Sequence, residues 1–132
     1  PQPLDAVLLD APCTATGTIR RHPDIPWAKD AANAERLTET QDRLLAAAAA
    51  MVAPGGVLIY CVCSTDRREG EDRIAGFLKT NPEFARQPVE VREVGGMEAL
   101  VNDDGDLRTL PCHLAEMGGM DGFYAARLRR SI

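Results

Sequence analysis

The sequence predicts an α/β domain in which parallel strands are joined through helices and antiparallel strands complete one edge of the sheet. Three observations predict it. Two apolar runs, Ala6 to Leu9 and Val57 to Tyr60, stop abruptly at small, polar or Pro residues, the grammar of a buried strand entering a loop. A long Ala-, Glu-, Leu- and Arg-rich stretch lies between them, giving a βαβ unit with a right-handed crossover. Farther on, short apolar segments separated by Gly and Asp read as antiparallel strands.

Leu4 to Leu9 is the first expected strand, and a loop containing Pro12, Gly17 and Pro23 follows it to about Trp27. Loops that long are functional or mobile more often than simple connections. From Lys29 to Val52, helix-forming residues with Leu37, Gln41, Leu44 and Leu45 at helical spacing predict a helix, stopped by Pro54, Gly55 and Gly56. Val57 to Cys63 is the second buried strand, and a polar turn leads into a helix from about Glu69 to Lys79, ended by Asn81 and Pro82. Val89 to Val94, Leu107 to Leu110 and Phe123 to Leu128 are the candidates for the antiparallel strands.

At 132 residues and 14.3 kDa, the chain is at most one domain, with enough length for a core. Its longest apolar run, Leu44 to Ala53, is far short of the roughly 20 residues that span a bilayer, so neither a membrane segment nor a secretory signal is expected. Fifteen Lys and Arg against 20 Asp and Glu give a net charge of -5, which disfavours nonspecific polyanion binding. Local basic clusters at Arg20, Arg21 and His22, and at Arg127, Arg129 and Arg130, keep a patchy nucleic-acid surface open. The four cysteines contain no Cys-x-x-Cys pair and no secreted-scaffold spacing, which points to a reducing cytoplasm. Cys61, Cys63, Cys112 and His113 lack zinc-site spacing, so no metal is expected.

In doubly wound folds, ligands bind beyond the carboxyl ends of the parallel strands. Cys13 in LLDAPCTATG and Cys63 in LIYCVCST both fall there, and two strand-end thiols suggest covalent chemistry at one site. Cys61 reads as a small buried hydrophobe. Cys112 and His113 are adjacent, and neighbours rarely face each other, so a structural or surface role is expected for both. Asp24 reads as the ion partner of Arg20 or Arg21, the C-terminal arginines as a solvated strand end, and Trp27 as a packing residue more than a base-stacking one.

The segment DAPCTATGTIRRHPDI, Asp10 to Ile25, followed about 50 residues after Cys13 by Tyr60-Cys61-Val62-Cys63-Ser64, resembles the RNA 5-methylcytosine methyltransferases of the Nol1/Nop2/Sun family. The resemblance is strongest to members acting on bacterial small-subunit ribosomal RNA, whose first motif also runs into Arg-Arg-x-Pro-Asp. The closing Leu107 to Arg130 segment is similar to the family's C-terminal motif, with Asp121-Gly122-Phe123-Tyr124 where Asp-Gly-Phe-Phe is usual. Val62 stands where the family usually has Thr, and the thiol position is kept.

The resemblance implies a Rossmann-like S-adenosylmethionine-dependent methyltransferase fold, of which residues 1–132 would be the C-terminal part of the catalytic domain. The family's Gly-rich cofactor loop has no counterpart in the chain. It further implies that Cys63 adds to C6 of cytosine, that Cys13 helps expel the enzyme after methylation, and that Asp10 lies in the cofactor and base site. Pro12 would rigidify the loop and leave neighbouring carbonyls to accept hydrogen bonds, and Arg20, Arg21 and His22 would hold phosphates or orient the loop. The implied cofactor is S-adenosylmethionine, and the implied partner is RNA, with the target base unpaired or flipped. Two rivals are a non-catalytic RNA-binding fragment of the same fold and a redox enzyme using Cys13 or Cys63.

Overall fold

The computed structural model describes residues 2–28 and 31–132, with the backbone alone described at Ala31 and Ala32. Five strands form one sheet. Strand β1 (Leu4–Asp10) leads through a loop and a single helical turn, α1 (Ile25–Ala28), to the long helix α2 (Ala31–Met51). Strand β2 (Val52–Val62), helix α3 (Glu71–Thr80), and the short strands β3 (Phe84–Arg86) and β4 (Leu107–Thr109) follow, and β5 (Phe123–Arg130) ends the chain. The sheet order is β1-β2-β5-β3, with β4 also paired to β5.

β1 and β2 are parallel, with Leu9 opposite Tyr60 and Asp10 opposite Cys61. Their carboxyl ends therefore open at the same edge of the sheet. β5 runs antiparallel to β2 and on its far side takes β4 along residues 123–125 and β3 along residues 128–130. The core lies where α2 and α3 cover the sheet. Leu45, Ala48 and Ala49 of α2 and Ile74 and Phe77 of α3 pack with Leu58, Tyr60, Val62, Tyr124, Ala126 and Leu128. Alternation supplies that face, since in β5 every second side chain from Tyr124 to Leu128 is buried.

The structure corrects several expectations. Helix α2 gives way to strand at Val52, and Pro54, Gly55 and Gly56 lie inside β2 rather than stopping a helix. Gly55 has φ 76, and the register to β1 jumps from Leu4–Val52 to Ala6–Val57, so the Pro-Gly-Gly stretch forms a bulge. The expected helix start at Lys29 lies outside the described residues. Val89 to Val94 is not a strand. Val91–Val94 is a 3₁₀ turn, because Glu90 and Glu93 cap it reciprocally and Gly95 ends it with a left-handed backbone. The three-residue strand β3 had no periodic signal, while the antiparallel strands expected to complete one edge do so as β5 with β3 and β4 beyond it.

The C-terminal arginines stand at a strand end, Arg129 exposed, and they also bind backbone and side-chain groups nearby. Arg127 donates to the carbonyls of Gln87 and Pro88 and pairs with Glu93, Arg129 donates to the Gly55 carbonyl, and Arg130 donates to the Val52 carbonyl. Those guanidinium groups staple strand ends together. No helix among the described residues is long and apolar enough to cross a membrane.

Candidate active site

The parallel register of β1 and β2 delivers two loops to one edge. Ala11 donates its backbone N–H to the Cys61 carbonyl at 2.9 Å, and Gly17 donates to the Cys63 carbonyl at 3.0 Å, so the first loop is laced onto the end of β2. The result brings the Cys13 and Cys63 sulfurs to 3.5 Å from each other, both half-buried. The two thiols singled out from sequence thus share one site.

Burial pushes the Cys13 thiol up to about 12, and the charge of neighbouring Cys63 adds to the rise. Cys13 therefore holds its proton at neutral pH. Cys61 is also pushed up, to about 11, by burial and then by Asp10. Its thiol donates to Asp10 Oδ1 at 3.7 Å, which ties the exposed carboxylate at the end of β1 to the sheet. Cys61 is thus more than a packing residue, since its thiol orients an acidic side chain beside the pair.

The other residues of the first loop are held by connections that sequence did not show. Pro12 is exposed, and its carbonyl accepts from Gln41 Nε2 at 2.9 Å, which fastens the loop to α2. Arg20 and Arg21 do not pair with Asp24. Both converge on Asp121, Arg20 through Nε at 2.7 Å and Arg21 through Nη2 at 2.6 Å, which holds that carboxyl below the usual carboxylate range. The pairing joins the first loop to the Asp121-Gly122 segment about 100 residues away. His22 closes the turn through its backbone, donating to the Thr18 and Ile19 carbonyls. Trp27 is 90% exposed, against the packing role expected for it, because the single turn of α1 anchors itself through Ile25 instead. Cys112 is exposed, and His113 Nδ1 accepts from the Leu110 backbone, so both stay outside the thiol pair as expected.

Beneath the thiols lies a buried polar cluster. Glu69 is wholly buried and accepts from Thr14, Ser64 and Gln41, while the Tyr60 hydroxyl donates to the Glu69 carbonyl at 2.6 Å. Arg108 donates through Nε and Nη2 to the two oxygens of Glu71 and through Nη1 to the Ser64 carbonyl, with its guanidinium 4.9 Å from the Tyr124 ring centroid. Gly17 and Gly122 meet backbone to backbone, with Gly122 N–H donating to the Gly17 carbonyl at 2.8 Å. In the sequence, Glu69 sits in a run of charges at the expected start of a helix, and nothing there marks it as buried. The sequence offers one signal for it, a hydroxyl residue immediately after Cys13 and after Cys63.

A family model described as 16S rRNA methyltransferase RsmB/F matches residues 2–129. This chain belongs to that family. The resemblance carried by the two cysteine motifs is thereby borne out. The RsmB/F chain is 39% identical over 130 residues to ribosomal RNA small subunit methyltransferase B of Thermus thermophilus, covering 98% of this chain and 30% of that protein. To the protein of the same name from Pasteurella multocida it is 38% identical over 128 residues, 97% of this chain and 26% of the relative. It thus spans about a third or less of the curated relatives it matches. Among solved structures, that of PH0851 superposes with a TM-score of 0.82 at 34% identity, covering 96% of this chain and 26% of the other. NSun6 from Pyrococcus horikoshii with SFG superposes with a TM-score of 0.76 at 23% identity over 99% of this chain and 31% of the other, a likeness of fold. The RsmB/F chain has a Rossmann-like methyltransferase fold, of which it forms a C-terminal-like portion.

Proposed function

We propose that the protein carrying this chain transfers a methyl group from S-adenosylmethionine to C5 of a cytosine in small-subunit ribosomal RNA, through a covalent bond between Cys63 and C6. The observation that carries the proposal is the 3.5 Å approach of two strand-end thiols in a chain of this family. Residues 1–132 then serve as the C-terminal part of a catalytic domain working in the cytoplasm.

C5 of cytosine is a poor nucleophile until a nucleophile adds at C6, and a soft thiolate suits that step. The attack is given to Cys63, the thiol just past the end of β2, while burial raises the Cys13 thiol and fits it to hold a proton for a later stage. When bound, S-adenosylmethionine supplies an electrophilic methyl group. The exposed Asp10 carboxylate, held by the Cys61 thiol, fits a cationic cofactor or the exocyclic amine of the base. After C5 is substituted, its proton must leave and the Cys63–C6 bond must break. Bonding Cys63 to carbon removes that sulfur's charge and with it part of what holds the Cys13 proton so tightly. Cys13 can then pass its own proton to solvent and take the C5 proton as a thiolate, with the C5–H electron pair forming the C5–C6 double bond as the Cys63–C6 pair returns to the Cys63 sulfur.

RNA is the partner this reading implies. Pro12 stiffens the loop that faces the base, and Arg20 and Arg21, still substantially exposed after pairing with Asp121, present donors to phosphates with His22 beside them. The target base must leave its stack, because C6 is shielded in a helix.

The test is isotopic. The full-length protein is incubated with S-adenosylmethionine and small-subunit ribosomal RNA tritiated at cytosine C5. Tritium released to water in step with methyl incorporation is the expected result. Methylation without release would place the methyl elsewhere.

A further inference from the structure

Glu69 holds both thiol loops at once. Its Oε1 accepts from the Thr14 backbone N–H at 3.0 Å and from Gln41 Nε2 at 3.1 Å. Its Oε2 accepts from Thr14 Oγ1 at 2.6 Å and from Ser64 Oγ. Thr14 directly follows Cys13, and Ser64 directly follows Cys63. The clamp is set firmly, because the Glu69 carbonyl accepts from Tyr60 near the carboxyl end of β2, and Gln41 links the same carboxylate to the Pro12 carbonyl. Glu69, Gln41 and Tyr60 are all fully buried.

We infer that Glu69 is a positioning residue that fixes the separation of the Cys13 and Cys63 thiols, so that the proton chemistry of one can follow the covalent chemistry of the other. The inference rests on the methyl-transfer reading above for its purpose, though not for its geometry. Of the four donors on its two oxygens, the Thr14 N–H and Gln41 Nε2 can only donate, while the Thr14 and Ser64 hydroxyls converge on Oε2 with charge-assisted bonds that a carboxylate strengthens. Glutamine with its oxygen toward the Thr14 N–H and Gln41 would turn its NH2 to the two hydroxyls, forcing both to reorient as acceptors and replacing charge-assisted bonds by neutral ones. An apolar residue would leave the Thr14 N–H buried without its acceptor. Burying a carboxylate is also a poor way to gain stability alone, since well-packed apolar groups do as well or better. Placement of the residues adjoining both thiols is what this arrangement supplies.

The test uses the full-length protein and two readouts. In the absence of RNA, diamide oxidises a close thiol pair, taking up two hydrogens as the S–S bond forms and becoming the hydrazine. The Cys13–Cys63 disulfide is followed by peptide mass mapping. Glu69→Gln is expected to slow its formation by about tenfold or more, with Thr14→Val giving a smaller slowing in the same direction. With RNA and S-adenosylmethionine, the same variants should lower kcat more than they raise KM and retain more protein covalently bound to RNA. If Glu69→Gln fails to fold by thermal melting, Thr14→Val and Ser64→Ala, each lacking one hydroxyl donor, carry the test. Disulfide formation within twofold of wild type in folded variants overturns the clamp. Slowed disulfide formation with unchanged covalent RNA complex would uphold the geometry and instead overturn the role given to Cys13.

Discussion

Cys13→Ala in the full-length protein is expected to lower turnover on RNA by about 10²–10⁴-fold while leaving a covalent protein–RNA complex that survives denaturation. The expectation follows from the order of events. Cys63 attack on C6 does not need the Cys13 sulfur, so the adduct still forms. Release needs a proton to leave C5 and the Cys63–C6 bond to break, and the group placed 3.5 Å from Cys63 to serve that stage has been removed. A slow-migrating protein–RNA band on a denaturing gel, dependent on S-adenosylmethionine, is the measurement. Turnover at the wild-type rate would remove Cys13 from the mechanism, whereas loss of turnover without the band would make Cys13 the attacking thiol or a structural residue.

Gly17→Ala is expected to destabilise the site by about 3–5 kcal/mol, from overpacking together with two backbone hydrogen bonds lost. A Cβ there would stand 1.9 Å from the Gly122 carbonyl oxygen, 2.5 Å from its carbon and 2.9 Å from the Cys63 carbonyl oxygen. All three are backbone atoms and cannot swing aside. Relief requires the loop to lift, breaking the Gly17 N–H bond to Cys63 and the Gly122 N–H bond to Gly17. The separation of the two thiols depends on that same lacing. Thermal unfolding and methyl transfer should both fall. Gly76→Ala is the control, because a Cβ at that position meets nothing within 4 Å. A Gly17→Ala protein that melts and works like wild type would show that the loop has a second seat.

The elements that were legible in the sequence are those whose signal is local. β1, β2, α2 and α3 each carry an apolar period or run, although the Pro-Gly-Gly read as the stop of α2 lies inside β2, and Cys13 and Cys63 stand where strand grammar places loop residues. The closing of the site was not legible, because it is made of contacts far apart in the chain. Glu69 meets Thr14 across 55 positions, and Arg21 meets Asp121 across 100. Nothing in the charge run around Glu69 distinguishes a buried clamp from a solvated face, and Asp24 was the nearer partner for Arg21 only along the chain. Val89 to Val94 misled for a different reason. Its valines suit a strand, but a reciprocal pair of glutamates three residues apart caps a turn more effectively. Trp27 shows the limit of composition, since a large aromatic on a one-turn helix has too little helix to bury it.

The most direct measurement incubates the full-length protein with S-adenosylmethionine and RNA bearing 5-fluorocytosine at the target, where fluorine blocks the proton loss that release requires. The adduct is then mapped by peptide mass spectrometry. A bond from Cys63 to the base, absent in Cys63→Ala, is the result this account predicts. An adduct on Cys13, or none on a folded protein that still binds RNA, would contradict it.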